Sequence, residues 1–321
     1  MNDNEIKDSI MRNDPILKKW ESNFFENQRK GVFNQPNVRP LNFIANNTTY
    51  NQLPTILVAA GPSLDKNINS LKKYQDKCII ICAEVILFKL LENGIKPDYV
   101  VTIDPSETFT RFLEGCDTAD LTYVCPTTVH PSVTSIWKGK IIFFNQLDIP
   151  GSYKEKTLKK IEMPGWKSFE NRLFVGATMY QLAQLFNPSV VGLVGFDFAF
   201  TDNKAYCDGF LERKIIDDIN PYGSDTWKES VKSLKEQEVP KDFSVPVNGV
   251  EILTTKLFLL YKYVFMQLAI RYRKEVVNCT EGGILTEIQC QPLETFLESN
   301  CTTPIKKQSE FIIQKRKSHR K

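Results

Sequence analysis

The fold is decided by residues 54–71, PTILVAAGPSLDKNINSL, which pass from an apolar run through a turn into a polar, helix-like segment. The apolar run from Ile56 to Ala60 is unbroken, which predicts a strand covered on both faces. Gly61 tolerates backbone angles closed to other residues, Pro62 stiffens the turn, and Ser63 is a favourable N-cap for the following helix. Free amides and the dipole at the start of such a helix attract anions, so the junction predicts a phosphate site. A strand-to-helix turn that binds nothing is the alternative when this stretch is taken alone.

Apolar runs alternate with amphipathic segments along the chain from this point to about residue 290. The sequence predicts helices between strands at 56–60, 78–83, 99–103, 121–125, 140–144, 190–194 and 275–278. This alternation predicts an α/β fold with a Rossmann-like, doubly wound and mostly parallel sheet, followed near its end by a C-terminal helix over 254–273. The polar stretch 201–247, with one predicted helix near 225–238, is longer than an ordinary connector, which predicts a lid or substrate loop. Disorder of this stretch is the alternative.

The chain of 321 residues divides into three regions by composition. Residues 1–49 are polar with short amphipathic pieces, which predicts a helical N-terminal arm and linker. Residues 50–290 carry the alternating pattern and form the predicted Rossmann-type catalytic domain. Residues 291–321 are predicted to be a polar C-terminal tail that ends in the basic run KRKSHRK.

Charge and composition exclude several classes of function. Lysine and arginine total 41 against 38 aspartates and glutamates, so neither nucleic acid nor a membrane surface is expected as a partner. Only two histidines occur in the sequence, which disfavours a histidine-based zinc site and a Ser-His-Asp triad. No Gly-x-Gly-x-x-Gly follows the first predicted strand and no Gly-Lys-Ser/Thr occurs, which disfavours an ordinary nicotinamide enzyme and a P-loop ATPase. The polar N-terminus resembles no secretory signal and the apolar stretch 257–270 is too short to span a bilayer, so we expect a cytoplasmic protein without a membrane span.

Residues just after the predicted strands are the candidates for chemistry, because open parallel sheets bind ligands at the carboxyl ends of their strands. Asp104 follows strand 99–103 and is suited to hold a divalent cation or to orient a ribose hydroxyl. Asp197 follows strand 190–194 and is suited to act as a general base toward an acceptor hydroxyl. An ordinary cap or turn role is the alternative for both aspartates. The turns predicted to bind nucleotide or phosphate beside them comprise Gly61, Pro62, Ser63 and Leu64 after the first strand and Thr280, Glu281, Gly282 and Gly283 after the last.

Several separated segments resemble a known family in their order and spacing. They are AAGPSLDKNINSLKK, GIKPDYVVTIDPSE, FVGATMYQLAQL, VGLVGFDFAFTDNKAYCDG, and VNGVEILTTKLF through to VNCTEGG. Together they cover roughly residues 50–290 and are similar to the central domain of the motility-associated factor (Maf) family, also described as DUF115 or the 6-hydroxymethylpterin diphosphokinase MptE-like domain.

The resemblance implies a sialyltransferase-like fold and a transferase activity. Maf-type members are implied to be glycosyltransferases in flagellin glycosylation, which move a nonulosonic acid such as pseudaminic or legionaminic acid from its CMP-activated form to serine or threonine. The archaeal MptE branch is implied to transfer diphosphate from ATP to a pterin alcohol with magnesium. Carried onto this sequence, the resemblance makes Asp104 a candidate metal ligand and assigns to a substrate loop Gly176, Thr178, Asp208 and Gly209.

The sequence therefore predicts a glycosyltransferase with a CMP-linked donor and a protein or glycan acceptor such as flagellin. An ATP-dependent diphosphokinase is one alternative, and a non-catalytic nucleotide-sugar binding module is another. The pattern requires no cofactor, although Mg²⁺ is the candidate. The family's Gly-Gly-Ser-Val stretch is replaced here by Val-Gly-Ala-Thr at 175–178, and its glutamine before the aspartate is replaced by Phe196. These departures leave the donor sugar and the acceptor open.

Overall fold

The protein is described by a computed structural model over residues 15–47, 50–145, 159–170, 173–202, 204–209 and 244–305. This part of the chain contains a nine-stranded sheet and a separate two-stranded hairpin. The sheet strands are β1 (Val38–Pro40), β2 (Thr55–Val58), β3 (Ile79–Ala83), β4 (Tyr99–Val101), β5 (Thr122–Pro126), β6 (Lys140–Phe144), β7 (Val191–Val194), β10 (Val276–Asn278) and β11 (Gln289–Cys290). The hairpin strands are β8 (Ser244–Val247) and β9 (Val250–Leu253). The α-helices are α1 (Pro15–Arg29), α2 (Asn42–Asn47), α3 (Leu64–Tyr74), α4 (Leu87–Glu92), α5 (Thr110–Leu113), α6 (Pro131–Ile136), α7 (Val175–Gln184), α8 (Lys256–Tyr272) and α9 (Leu293–Asn300).

The nine-stranded sheet has the order β1-β6-β5-β4-β3-β2-β7-β10-β11, and every neighbouring pair in it is parallel. From β2 the strands that follow in the sequence, β3 to β6, extend to one side, whereas β7, β10 and β11 extend to the other. This arrangement confirms the predicted α/β fold with a mostly parallel sheet. The reversal of strand order between β2 and β7 is the topological switch point, the place where open parallel sheets bind ligands.

The central strands lie in the middle of the core. Every residue of β2 and β3 is buried, which is why their sequences are apolar without alternation. Helix α7 packs against β2, β3 and β4 and also contacts α8, whereas α9 packs against α3 and β7. These contacts hold in place the loops that follow β2, β3, β4 and β7.

The described part of the predicted N-terminal arm is joined to the sheet. Strand β1 is an edge strand paired with β6. The side-chain amide of Asn23 on α1 donates hydrogen bonds to Pro105 O and Thr128 O, at 2.8 and 2.9 Å. Helix α1 therefore lies over the loops that follow β4 and β5. The domain boundary at residue 49 stays a prediction.

The C-terminal region differs from the predicted polar tail. Residues 293–300 form α9, whose Leu293, Phe296 and Leu297 are buried. Three apolar residues at helical spacing in an otherwise polar stretch are enough to bury one helix face. The predicted long helix is present as α8, with Thr255 Oγ1 accepting a cap hydrogen bond from Phe258 N–H.

Two sequence predictions lie outside the described residues: the helix near 225–238 and the basic end of the tail. Strand β8 forms the end of the stretch that the sequence predicts as a lid or substrate loop, and β9 follows directly after that stretch. Within the part of the chain that the structure describes, no helix is long and apolar enough to cross a membrane.

Candidate functional site

The switch point brings the turns after β2 and β7 into direct contact. Ala59 N–H donates to Val194 O and Gly61 N–H donates to Gly195 O, each at 2.9 Å. The φ angle of Gly195 is 70°, and a Cβ atom there would lie 2.4 Å from Ala59 O. Only glycine fits this position, and the two turns form one continuous surface at the edge of the sheet.

A pocket of 450 Å³ opens at this edge. Four of the predicted site residues meet in its wall: Gly61, Asp104, Gly176 and Asp197. Aromatic side chains form much of the remaining wall, from Phe109, Phe174, Phe196, Phe198, Tyr206, Phe258 and Tyr261. A mainly apolar pocket with a few polar groups is typical of a small-molecule site.

Asp197 is the most heavily hydrogen-bonded side chain of the pocket wall. The Ser63 N–H donates to its Oδ1 at 3.2 Å, the Ser63 hydroxyl to Oδ2 at 2.7 Å, and the Thr201 hydroxyl to Oδ1 at 2.5 Å. Burial of the side chain, which is 2 % exposed, raises the pKa of Asp197 to about 6, and the hydrogen bonds from Thr201 and Ser63 oppose that rise. Asp197 therefore ties the turn after β7 to the start of α3.

The start of α3 differs in detail from the predicted phosphate turn. Ser63 makes no side-chain cap, and its N–H and hydroxyl both donate to the carboxylate of Asp197. The next amides, of Leu64 and Asp65, donate to Gly61 O and Pro62 O at 3.1 and 3.2 Å. The protein thus places its own anion where the sequence predicts a bound phosphate.

Gly61 is required by space and not by its backbone angle. Its φ is not positive, but a Cβ atom would lie 1.9 Å from Asp197 Oδ2 and 2.5 Å from Gly195 O. Pro62 and Leu64 are buried and do not line the pocket. The predicted unusual backbone angle at Gly61 is therefore wrong, and glycine is needed there because the turn lies so close to Asp197.

Glu84 is a pocket residue that the sequence analysis missed. It follows β3 directly, is 1 % exposed, and accepts a hydrogen bond from the Tyr123 hydroxyl on Oε1 at 2.7 Å. Its Oε2 has no hydrogen-bond partner among the described residues. Burial, with a smaller contribution from the negative charge of Asp104, raises the pKa of Glu84 to about 8. The rule that selected Asp104 and Asp197, an acid directly after a strand, would have found it.

Asp104 lies at the end of β4 and is half-buried in the pocket wall. Its Oδ1 accepts a hydrogen bond from Ser106 N–H at 2.7 Å, and its own N–H donates to Thr102 Oγ1 at 3.2 Å. Burial raises the pKa of Asp104, while the Ser106 hydrogen bonds and the positive charge of Lys19 oppose this. Three carboxyl groups, from the ends of β3, β4 and β7, therefore share one pocket.

The turn at 280–283 packs against the turn that follows β7. Thr280 Oγ1 accepts from Phe196 N–H at 3.1 Å, and Glu281 Oε1 accepts from Leu293 N–H at 3.0 Å. A Cβ atom on Gly283 would lie 2.0 Å from the backbone O of Asp197. Glu281, Gly282 and Gly283 line a second pocket of 730 Å³. Their predicted nucleotide-binding role stays a prediction.

Residues 22–203 match the model of a protein family described as 6-hydroxymethylpterin diphosphokinase MptE-like. The chain belongs to the MptE-like family. The fold is also similar to a solved structure of MAf glycosyltransferase from Magnetospirillum magneticum AMB-1, with 20 % sequence identity and a TM-score of 0.54. The similarity covers 75 % of this chain and 34 % of that one, so this chain spans about a third of that protein's length. No curated protein matches the sequence.

The substrate-loop residues predicted for this MptE-like protein do not all meet at the pocket. Gly176 lines it, and a Cβ atom there would lie 2.5 Å from the Phe174 ring. Thr178 is fully buried in α7 and lies outside the wall. Asp208 is exposed and pairs with Lys204 at 2.7 Å, also outside the wall. Gly209, the last of these residues, follows Asp208 with a φ of 84°.

Magnesium is the candidate ion from the family resemblance, but the pocket offers few side chains suited to bind it. The described residues include no group of three His, Cys, Asp or Glu side chains placed to hold a metal ion. Asp104 and Glu84 line one pocket, but burial raises the pKa of Glu84 to about 8, which favours the protonated carboxyl, a poor cation ligand. These two residues do not by themselves fit a magnesium site.

Proposed function

We propose that this MptE-like protein is a glycosyltransferase that moves a nonulosonic acid from a CMP-activated donor to a hydroxyl group of a protein or glycan acceptor such as flagellin. The observation that carries the proposal is the meeting of Glu84, Asp104 and Asp197 in one pocket at the switch point. No lysine or arginine belongs to the described lining of that pocket. Phosphoryl transfer from ATP requires cations against the phosphate oxygens, whereas sugar transfer requires a base for the acceptor hydroxyl.

In the proposed reaction, the bond between the anomeric carbon and the CMP phosphate oxygen breaks, and CMP leaves with the electron pair. The oxygen of the acceptor hydroxyl bonds to the anomeric carbon. Its proton passes to the carboxylate of Asp104, the general base. Half-burial and a raised pKa suit Asp104 to this role near neutral pH.

The other two carboxyl groups have different roles in the proposal. Both oxygens of Asp197 are already hydrogen-bonded, Oδ1 by Ser63 N–H and the Thr201 hydroxyl and Oδ2 by the Ser63 hydroxyl. In the proposal Asp197 therefore positions the turns that form the pocket, and Asp104 takes the role of general base that the sequence predicts for Asp197. Glu84 is protonated at neutral pH, with its pKa raised to about 8 by burial. A neutral Glu84 lowers the negative charge that an anionic donor meets and supplies a hydrogen-bond donor.

A diphosphokinase is the second candidate, because the description of the matching family model names that activity. Its requirement for cations around the phosphates separates it from the first candidate. If the protein is a diphosphokinase, ATP must bind in a magnesium-dependent manner.

The test is calorimetric titration of the protein with CMP, CDP, UDP and ATP, each with Mg²⁺ and with EDTA. Binding of CMP that is unchanged by EDTA supports the glycosyltransferase. Magnesium-dependent binding of ATP, without binding of CMP, supports the diphosphokinase instead. Binding of CMP without turnover of any CMP-linked nonulosonic acid points to a non-catalytic binding module.

The general base is tested with Asp104→Asn and, as a matched control, Asp120→Asn. Asp120 is exposed and pairs with Lys96 at 2.8 Å, outside the pocket wall. We expect Asp104→Asn to lower the rate of transfer by about 10²–10⁴-fold, the usual contribution of a general base, with CMP affinity unchanged. Asp120→Asn should keep the parent rate. Equal rates in the two variants would remove Asp104 from the mechanism.

A further inference from the structure

The second pocket lies directly behind the catalytic one. Thr201 lines the second pocket and donates its hydroxyl hydrogen bond to Asp197, which lines the first. Residues of β9 and residues between 278 and 292 line the second pocket together. The pocket is therefore a groove between β9 and a loop. One of its lining residues, Thr201, is hydrogen-bonded to Asp197 of the first pocket.

The register of the hairpin shows which backbone groups face this groove. Strands β8 and β9 are joined by Asn248 and Gly249, both with positive φ, and in a two-residue turn the flanking residues Val247 and Val250 form a hydrogen-bonded pair. Pairs alternate along an antiparallel ladder. The next pair therefore lacks mutual hydrogen bonds, and its backbone groups point to the outer edges of the hairpin.

That next pair is Pro246 with Glu251. Pro246 has no N–H, so the outer edge of β8 cannot extend a hydrogen-bonded ladder there. On the other edge, Glu251 has no backbone partner among the described residues, and it lines the groove. Two residues on, Leu253 O accepts from Phe200 N–H at 2.8 Å, so this edge already takes one backbone hydrogen bond and its described unpaired groups lie at Glu251.

The charge of the groove restricts what can bind there. Its described lining contains Asp202, Glu251 and Glu281 and no lysine or arginine. Asp202 pairs with Lys66 at 2.9 Å, and Glu281 accepts from a backbone N–H of α9. The carboxylate of Glu251 is exposed and makes no ion pair within the described residues. It therefore favours a positively charged side chain.

We propose that the edge of β9 binds an extended peptide that adds a strand to the hairpin and places a lysine or arginine beside Glu251. Main-chain hydrogen bonds at a strand edge are a recurring mode of peptide recognition. This inference rests on the proposed function in naming the peptide as the acceptor: a strand in the groove lies beside Thr201, whose hydroxyl donates to Asp197 of the first pocket. The acceptor class is thus a basic, extended, hydroxyl-bearing segment of a protein.

The test measures binding of a fluorescein-labelled peptide, TVKTVKTV, by fluorescence anisotropy with the full chain and without any sugar donor. We expect binding that weakens about tenfold in Glu251→Pro, because this variant loses both the outward N–H that donates to the peptide and the charge of the carboxylate. Glu251→Gln keeps the N–H and should weaken binding of this peptide less, while leaving a lysine-free peptide, TVTTVTTV, unaffected. Pro246→Thr alters the opposite edge and should leave the affinity as it is.

Several outcomes would overturn the inference: no binding of TVKTVKTV to the parent protein, equal affinity for the acidic peptide TVDTVDTV, or unchanged affinity in both Glu251 variants. An equal loss in Pro246→Thr would also overturn it, because the effect would then not belong to the β9 edge. The assay needs no turnover. Peptide binding with this pattern and no sugar transfer would therefore contradict the proposed function alone, and sugar transfer without peptide binding would contradict the docking site alone.

Discussion

Replacing Glu84 with glutamine should change how the stability of the protein depends on pH. The folded protein holds the Glu84 proton up to a pKa of about 8, raised by burial from the ordinary value of 4.5. The unfolded chain releases that proton near the ordinary value, so the free energy of unfolding falls as pH rises from 4.5 to 8. Each pH unit in this window costs about 1.4 kcal/mol, which gives about 5 kcal/mol over the whole window.

Glu84→Gln keeps an oxygen that accepts the Tyr123 hydrogen bond and removes the titration. Its NH₂ group takes the place of Oε2, which no described residue hydrogen-bonds, at a cost of about 1–3 kcal/mol that does not depend on pH. We therefore expect the variant to be less stable than the parent near pH 5 and more stable near pH 8. The two curves cross within this range.

The measurement is urea unfolding at a series of pH values, followed by the fluorescence of the four tryptophans. The difference between the two proteins reports on Glu84 and its coupling to Asp104, since groups that do not interact with Glu84, including Asp197, titrate alike in both. Glu298→Gln, an exposed position on α9, serves as the control and should run parallel to the parent. If the curve for Glu84→Gln also runs parallel to the parent, the carboxyl titrates normally and our account of the pocket is refuted.

Three further predictions concern the pocket. Gly61→Ala should lower the free energy of unfolding by about 3 kcal/mol, because its Cβ would lie 1.9 Å from Asp197 Oδ2. The control, Gly209→Ala, has nothing within 4 Å of its Cβ and should lower it by only about 1 kcal/mol, because of the positive φ at this position. Equal losses of the two variants in urea unfolding would contradict this prediction. Thr201→Val removes one hydrogen bond from the Asp197 carboxylate, so the pKa of Asp197 should rise above the value of about 6. The free energy of unfolding falls with rising pH until that pKa is passed, so in the variant it should go on falling to a higher pH. If it stops falling at the same pH in both proteins, the hydrogen bond does not stabilise the carboxylate. Tyr123→Phe deprives the buried glutamate of its hydrogen bond and should cost about 2 kcal/mol in the same assay, whereas a loss below about 0.5 kcal/mol would mean that water satisfies the carboxyl.

The sheet could be predicted from the sequence because its central strands are buried on both faces. A strand such as β2 then has an unbroken apolar sequence, and the turn residues that follow mark its carboxyl end. Since parallel strands share one carboxyl edge, the positions of Asp104 and Asp197 after their strands were enough to predict that both lie at that edge. The pocket wall contains both residues.

The partners of these residues could not be predicted in the same way. The hydrogen bonds between Ser63 and Asp197 join residues 134 positions apart, and no local pattern shows that a helix start is capped by a distant carboxylate. From the sequence alone, those amides are therefore predicted to bind a phosphate. Glu84 is not among the predicted site residues, because the segment after β3 is predicted to begin a helix.

The amino-acid sequence by itself determined the alternation of the central strands with helices, the mostly parallel sheet and the sheet edge at which Asp104 and Asp197 lie, since these follow from local apolar runs and the geometry of parallel strands. The tertiary structure decided which polar groups have hydrogen-bond partners among the described residues and which do not. Burial raises the pKa of Glu84 and Asp197, and the hairpin register turns backbone groups of Glu251 outward, where no described residue pairs with them. These properties depend on neighbours brought together from distant parts of the chain, because desolvation and hydrogen bonding are decided by the whole environment of a group.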